Sequence, residues 1–248
     1  MKKIKIYHSA YGGKDVQISE SEEIRVDLSS LEEFYSALGE RQMRCFRKFV
    51  GFWDGGGRER LLAPQAVVKI LPHEIISKEF KEAPELIDKG EKAALVVWTI
   101  GKALESEAGD MTSSAGNIMT GLLLDVAGSI ALYSMHAELI GWIKKNIGAP
   151  AGKYICGEYY PGIGRMRQDL MEKVVALGET ERLMGVTASG TSLLHPRKSQ
   201  CAFLALGAKE GECSVKMEPC SPCNGKKCLY YQLGGCHMPP EWQKAKRK

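Results

Sequence analysis

The chain has 248 residues, 44% apolar and 26% charged, the proportions of an ordinary folded protein rather than a disordered tail or a fibrous rod. That length supports one large domain with small appendages. The formal net charge of +4 is local, because Lys244, Lys246, Arg247 and Lys248 crowd the C-terminus; the remainder is near neutral, which argues against a nucleic-acid partner.

Met1-Lys2-Lys3-Ile4-Lys5 passes directly into polar sequence without a secretory apolar region, and this predicts a reducing, cytoplasmic setting. Residues 1–29 carry weak strand signals around a Gly12-Gly13 loop and read as an N-terminal extension. Ser30 and Glu33 make a capping box that opens a helix over 31–38, with Gly39 as its stop. A second amphipathic helix over 41–52 sets Arg41, Arg44, Arg47 and Lys48 against Met43, Phe46, Phe49 and Val50. It has one face on the core and one in water, or offers a surface to an acidic partner. Gly55-Gly56-Gly57 lacks the lysine and hydroxyl of a phosphate loop and reads as a hinge or turn.

Residues 67–71 and 94–100 are predicted strands, the second apolar throughout and suited to burial on both faces. The stretch Ile118–Met135 approaches membrane-spanning length. It holds Asp125, Gly121 and Gly128, so it is predicted to be a core helix capped at Ser113 or Ser114 and reaching about Asn146, with no membrane contact. A strand over 153–159 leads into the turn Tyr160-Pro161-Gly162-Ile163-Gly164, a helix from Met166 to Gly178, and strands over 183–187 and 200–206. Strands interspersed with helices give an α+β domain over 30–207, followed by a Cys-rich tail with a basic tip over 208–248.

Five of the eight cysteines lie in that tail. Cys220-Ser-Pro-Cys223-Asn-Gly-Lys-Lys-Cys228 brings three thiolates within reach of one ion, and Cys213 or Cys236 can complete the set for an iron–sulfur cluster or zinc. Inert thiols and disulfides are the competing readings. Cys45, Cys156 and Cys201 read as small buried apolar residues. Asp125, in an apolar helix, must find a partner or line a polar cleft. Pro161, Gly162 and Gly164 either bring the main chain close to a ligand or simply tighten the turn, and Tyr160 beside them offers a ring to a flat ligand or to the core. His195, before Pro196, is a ligand donor or an ordinary loop residue, Arg197 and Lys198 meet an acidic partner or solubilise the loop, and His136 is a packed or surface residue. No arrangement for nucleophilic catalysis or paired-carboxylate hydrolysis stands out.

The segments Leu62–Val67, Val96–Gly101, Leu124–Ser129, the turn at 160–164, Gly185-Val186-Thr187 and His195–Ser199 form an ordered series. It resembles the reactivation domain of cobalamin-dependent methionine synthase, in the short free-standing form of corrinoid-using anaerobes, over roughly residues 30–231. Some relatives also end in a three-cysteine motif followed by an aromatic, matched by Cys220, Cys223, Cys228 and Tyr230. The resemblance implies a curved antiparallel sheet with flanking helices. It also implies S-adenosylmethionine near Glu158, Tyr160, Pro161, Gly162, Gly164, Asp125 and His195, and a cobalamin carried by a partner protein. Three positions depart from that pattern. Glu158 stands where the family has arginine, Ile163 where it has tyrosine, and Leu132 where relatives place a glutamate, so the charge offered to the ligand is reversed. The expected function is assistance to reductive remethylation of a partner's corrinoid. It would act through S-adenosylmethionine, a cluster in the tail, or both, and draw on a low-potential electron donor. The alternative is an interaction protein that has lost the ligand and docks through a zinc-stapled tail.

Overall fold

The computed structural model describes residues 2–13, 15–81, 91–162, 166–190 and 193–208. In Lys3-Ile4-Lys5-Ile6 the period is two, and the structure obeys it: Ile4 and Ile6 are fully buried in β1 (Lys3–Ala10). β2 (Gln17–Glu23) returns antiparallel and forms one edge, where Glu20 and Glu22 discourage further pairing. Residues 3–23, expected as an extension, thus supply two strands of the main sheet.

Four further strands complete it: β3 (Gln65–Pro72), β4 (Lys92–Thr99), β5 (Tyr154–Tyr159) and β8 (Ser199–Gly207). Their order is β2-β1-β3-β4-β8-β5. All neighbours are antiparallel except β1 and β3, which run parallel from Lys5–Gln65 to Ala10–Ile70. The sheet is therefore mixed, a correction to the antiparallel expectation. The physical reason is the long connection between β1 and β3, which carries β2 and three helices and so can return the chain in the same direction. The short strands β6 (Thr187–Ala188) and β7 (Leu194–His195) pair separately.

The apolar run of β4 is buried on both sides, as its lack of alternation implies. Ala94, Val96 and Trp98 face one core, which is closed by α1 (Ser29–Ala37), α2 (Glu40–Phe52), α5 (Ala103–Ser113) and α6 (Ile118–Ile143). Ala93, Leu95 and Val97 face a second core under α4 (His73–Glu79) and α7 (Leu170–Gly178). The helix α2 continues through a kinked turn at Trp53–Gly57, where Gly56 has φ 107°, into the short α3 (Arg58–Leu61).

The helix α6, with its continuation to Ala151, is the one helix among the described residues long and apolar enough to cross a membrane. More than half of that apolar stretch is buried against the sheet and α5, as a core helix requires. The approach to α5 is close: a Cβ on Gly121 would lie 2.8 Å from the Ala108 carbonyl oxygen. Three local expectations differ. α1 begins at Ser29 without a side-chain cap, the Asp27 carboxylate instead accepting from the Ser29 amide at 2.9 Å. Residues 183 and 184, expected to open a strand over 183–187, instead end the helix α8 (Thr180–Met184). α5 was not expected at all.

Candidate functional site

Three of the sequence segments singled out above converge on one hydrogen-bonded cluster. Lys198, only 7% exposed, extends Nζ to Asp125 Oδ1 and to Ser129 Oγ, each at 2.9 Å. Its carbonyl accepts from the Ile100 amide and from Thr99 Oγ1, both at 3.2 Å. Thr99 Oγ1 in turn accepts from Ser199 Oγ at 2.8 Å and from the Gly101 amide at 3.1 Å. One donated and two accepted bonds use the full capacity of that hydroxyl. Next to it, Arg197 donates its backbone N–H and its Nε to the Glu105 carboxylate, each at 2.8 Å, and fastens the same loop to α5. Asp125 has thus found the partner its position demanded, and Lys198 is buried rather than presented to solvent or to an acidic partner.

A second cluster lies farther along α6. Glu158, near the end of β5, meets Nε2 of His136 through Oε1. Tyr160 donates its hydroxyl to the same oxygen at 2.5 Å and lies 3.1 Å from His136 Nε2. The ring of Trp98 sits 5.6 Å from that of His136, and its indole N–H donates to the Leu132 carbonyl at 3.1 Å. Burial by itself would raise the Glu158 pKa, but the hydrogen bonds and charge of His136 and Tyr160 outweigh it and hold the carboxyl below its ordinary range. Burial and the adjacent Glu158 push the Tyr160 phenol far above its ordinary value, so it stays protonated as a donor.

The clusters share one stripe. Asp125 and His136 are eleven positions apart on α6, about three turns and about 16 Å. Across the sheet, Ser199 follows Lys198 and Leu204 pairs with Glu158, five steps along β8 and again about 16 Å. α6 thus carries a half-exposed polar stripe of Asp125, Ser129, Tyr133 and His136, which meets Lys198 just before β8 at one end and Glu158 on β5 at the other.

The expected site residues divide accordingly. Glu158, Tyr160 and Pro161 lie together at the end of β5, with Pro161 buried. Gly162 follows with φ 84°, its amide donating to the Met166 carbonyl at 2.9 Å, a tight turn that a side chain would strain. Asp125 belongs to the other cluster. His195 is exposed in β7, and among the described residues no hydrogen bond joins it to either. Ile163, Gly164 and the expected tail ligands Cys213, Cys220, Cys223, Cys228 and Cys236 lie outside the described residues. Leu132 is buried. The residue that sequence reasoning missed is His136. Its partner is distant in the chain, and the sequence-local signal at that point was only a histidine in an apolar helix.

These residues bear on the cofactor that the resemblance implied. An arginine at position 158 would attract the carboxylate of S-adenosylmethionine. Glu158 is itself a carboxylate, already engaged by His136 and Tyr160, so it does not fit that anionic end. Comparison of the chain with known protein families and with curated proteins returns no match to either.

Proposed function

We propose that this chain is an accessory protein on a methionine synthase reactivation-like scaffold that assists a corrinoid held by a partner protein in the cytoplasm. The observation that carries the reading is the meeting of three motif segments, around Thr99, Asp125 and Lys198, in one hydrogen-bonded cluster. Segments scattered over a hundred residues acquire a common purpose when they brace a single helix face. The α6 stripe is the surface offered to the partner, and Cys220, Cys223 and Cys228, with Cys213 or Cys236, would hold an iron–sulfur centre that would supply low-potential electron transfer. The tail's starting point suits this role: β8 ends at Gly207, three residues and about 10 Å beyond the row that holds Glu158. Cys213 follows six residues later. The test is anaerobic purification with visible absorption and metal analysis. Stoichiometric iron and sulfide with a bleachable visible band are expected, whereas a colourless protein with one zinc ends the electron-relay role.

The engagement of Glu158 by His136 favours a second reading, in which the scaffold has given up S-adenosylmethionine and serves only to dock, its tail stapled by zinc. Calorimetry with S-adenosylmethionine separates this reading from any version that retains the ligand at the β5 turn.

A further inference from the structure

A cavity of about 450 Å³ opens between α1, α2 and the kinked turn that follows α2. That volume is the size of a small-molecule site. Its apolar wall is made by Met43, Phe46 and Val50, which α2 presents at helical spacing, and by Trp53, which opens the kinked turn.

The charges around it are of both signs, and some of them are already spent. Arg47 is held by Glu40 at 2.8 Å, and Asp27 accepts from the Ser29 amide at 2.9 Å. Three lining groups are left. Arg58 has its Nε shut off from solvent with no hydrogen bond, its nearest carboxylate oxygen being that of Glu59 at 3.7 Å, beyond bonding range. Glu32 and Asp54 make no ion pair among the described residues.

We propose that this cavity binds a zwitterion with a large apolar side chain, an α-amino acid or the equivalent end of a small metabolite. Its carboxylate is taken by Arg58, its ammonium by Asp54 and Glu32, and its side chain lies on the wall of Met43, Phe46, Val50 and Trp53. A simple anion would face the carboxylates of Asp54 and Glu32, and a simple cation would leave Arg58 with only its loose ion pair to Glu59 at 3.7 Å; a ligand carrying both charges satisfies all three groups. The proposal stands on this cavity alone and does not depend on the corrinoid reading.

The test titrates the full chain with three probes: L-phenylalanine, 2-phenylethylamine, which lacks the carboxylate, and 3-phenylpropanoate, which lacks the ammonium. Binding is read from the NMR shifts of the Met43 and Val50 methyl groups. L-Phenylalanine is expected to saturate these shifts in the millimolar range, with each singly charged probe at least tenfold weaker. Arg58→Gln is expected to weaken L-phenylalanine at least tenfold without weakening 2-phenylethylamine, which loses a like charge. Asp54→Asn, which keeps the guanidinium, is expected to weaken L-phenylalanine without weakening 3-phenylpropanoate, for the same reason. Equal affinity for the three probes, or no saturable shift with any of them, overturns the proposal.

Discussion

His136 on α6 and Glu158 on β5, twenty-two residues apart in sequence, meet side chain to side chain and tie the long helix to the edge strand of the sheet. Tyr160 completes the group by donating to the same carboxylate oxygen. Because a single acceptor serves two donors, loss of the carboxylate strands both.

This group sets an acid dependence. Glu158 has a folded-state pKa below its unfolded value, so the stabilisation it brings is present above about pH 4.3 and drains away as the pH falls through the lower folded value. Glu158→Gln is expected to lose about 1 kcal/mol at pH 7 and to flatten the fall in stability at acid pH. Urea unfolding at a series of pH values reads both effects, and superimposable acid limbs for the two proteins would refute the assignment.

Lys198 is expected to matter more for stability. Replacing it with methionine removes the Lys198–Asp125 ion pair in a largely apolar helix and a donor to Ser129. A loss of about 2 kcal/mol follows, less than for a fully sealed pair because Asp125 is partly exposed. The double variant Lys198→Met with Asp125→Leu is expected to recover most of that loss, and a cycle of denaturation midpoints measures the coupling. Simple additivity of the two single changes would mean that the pair is not coupled.

Gly121 is where α5 and α6 come closest. Gly121→Ala drives a methyl into the Ala108 carbonyl and the Thr112 backbone, and overpacking of this kind costs about 2 kcal/mol. Gly141→Ala, on the same helix but open to space, is the control and is expected to be neutral or slightly stabilising. Thermal unfolding of the two variants side by side distinguishes close packing from a general effect of glycine replacement.

Among the described residues, the cysteines are expected to differ sharply in reactivity. Burial pushes the Cys201 thiol up to about 12, so the native protein is expected to keep it unmodified by iodoacetamide at neutral pH while half-buried Cys45 reacts. Peptide mapping by mass spectrometry reads this directly. Early labelling of Cys201 would show that β8 is not sealed as described.

Much of this architecture was legible in local pattern. The unbroken apolar run around Val96 announced a strand buried on both faces, and Gly39 marked the end of α1 with φ 98°. What was not legible is non-local. Nothing near Lys5 states that its strand will pair with Gln65 in parallel, and nothing near His136 names Glu158. The run Leu183–Thr187 misled because a short apolar segment fits either period; Gly185, at φ 69°, ends a helix there instead of opening a strand. Lys198 read as a charge for an acidic partner or for loop solubility because the carboxylate that pairs with it, Asp125, lies seventy-three positions upstream. Glu158 was noticed only as a departure from a pattern, and its engagement required the fold.

The most direct measurement is isolation of the chain from its native cell under anaerobic conditions, with corrinoid quantified in whatever protein accompanies it. The account predicts a stoichiometric partner carrying a corrinoid, released when the α6 stripe is altered by Tyr133→Asp. Recovery of the chain with no corrinoid protein, from cells that contain such proteins, would contradict it.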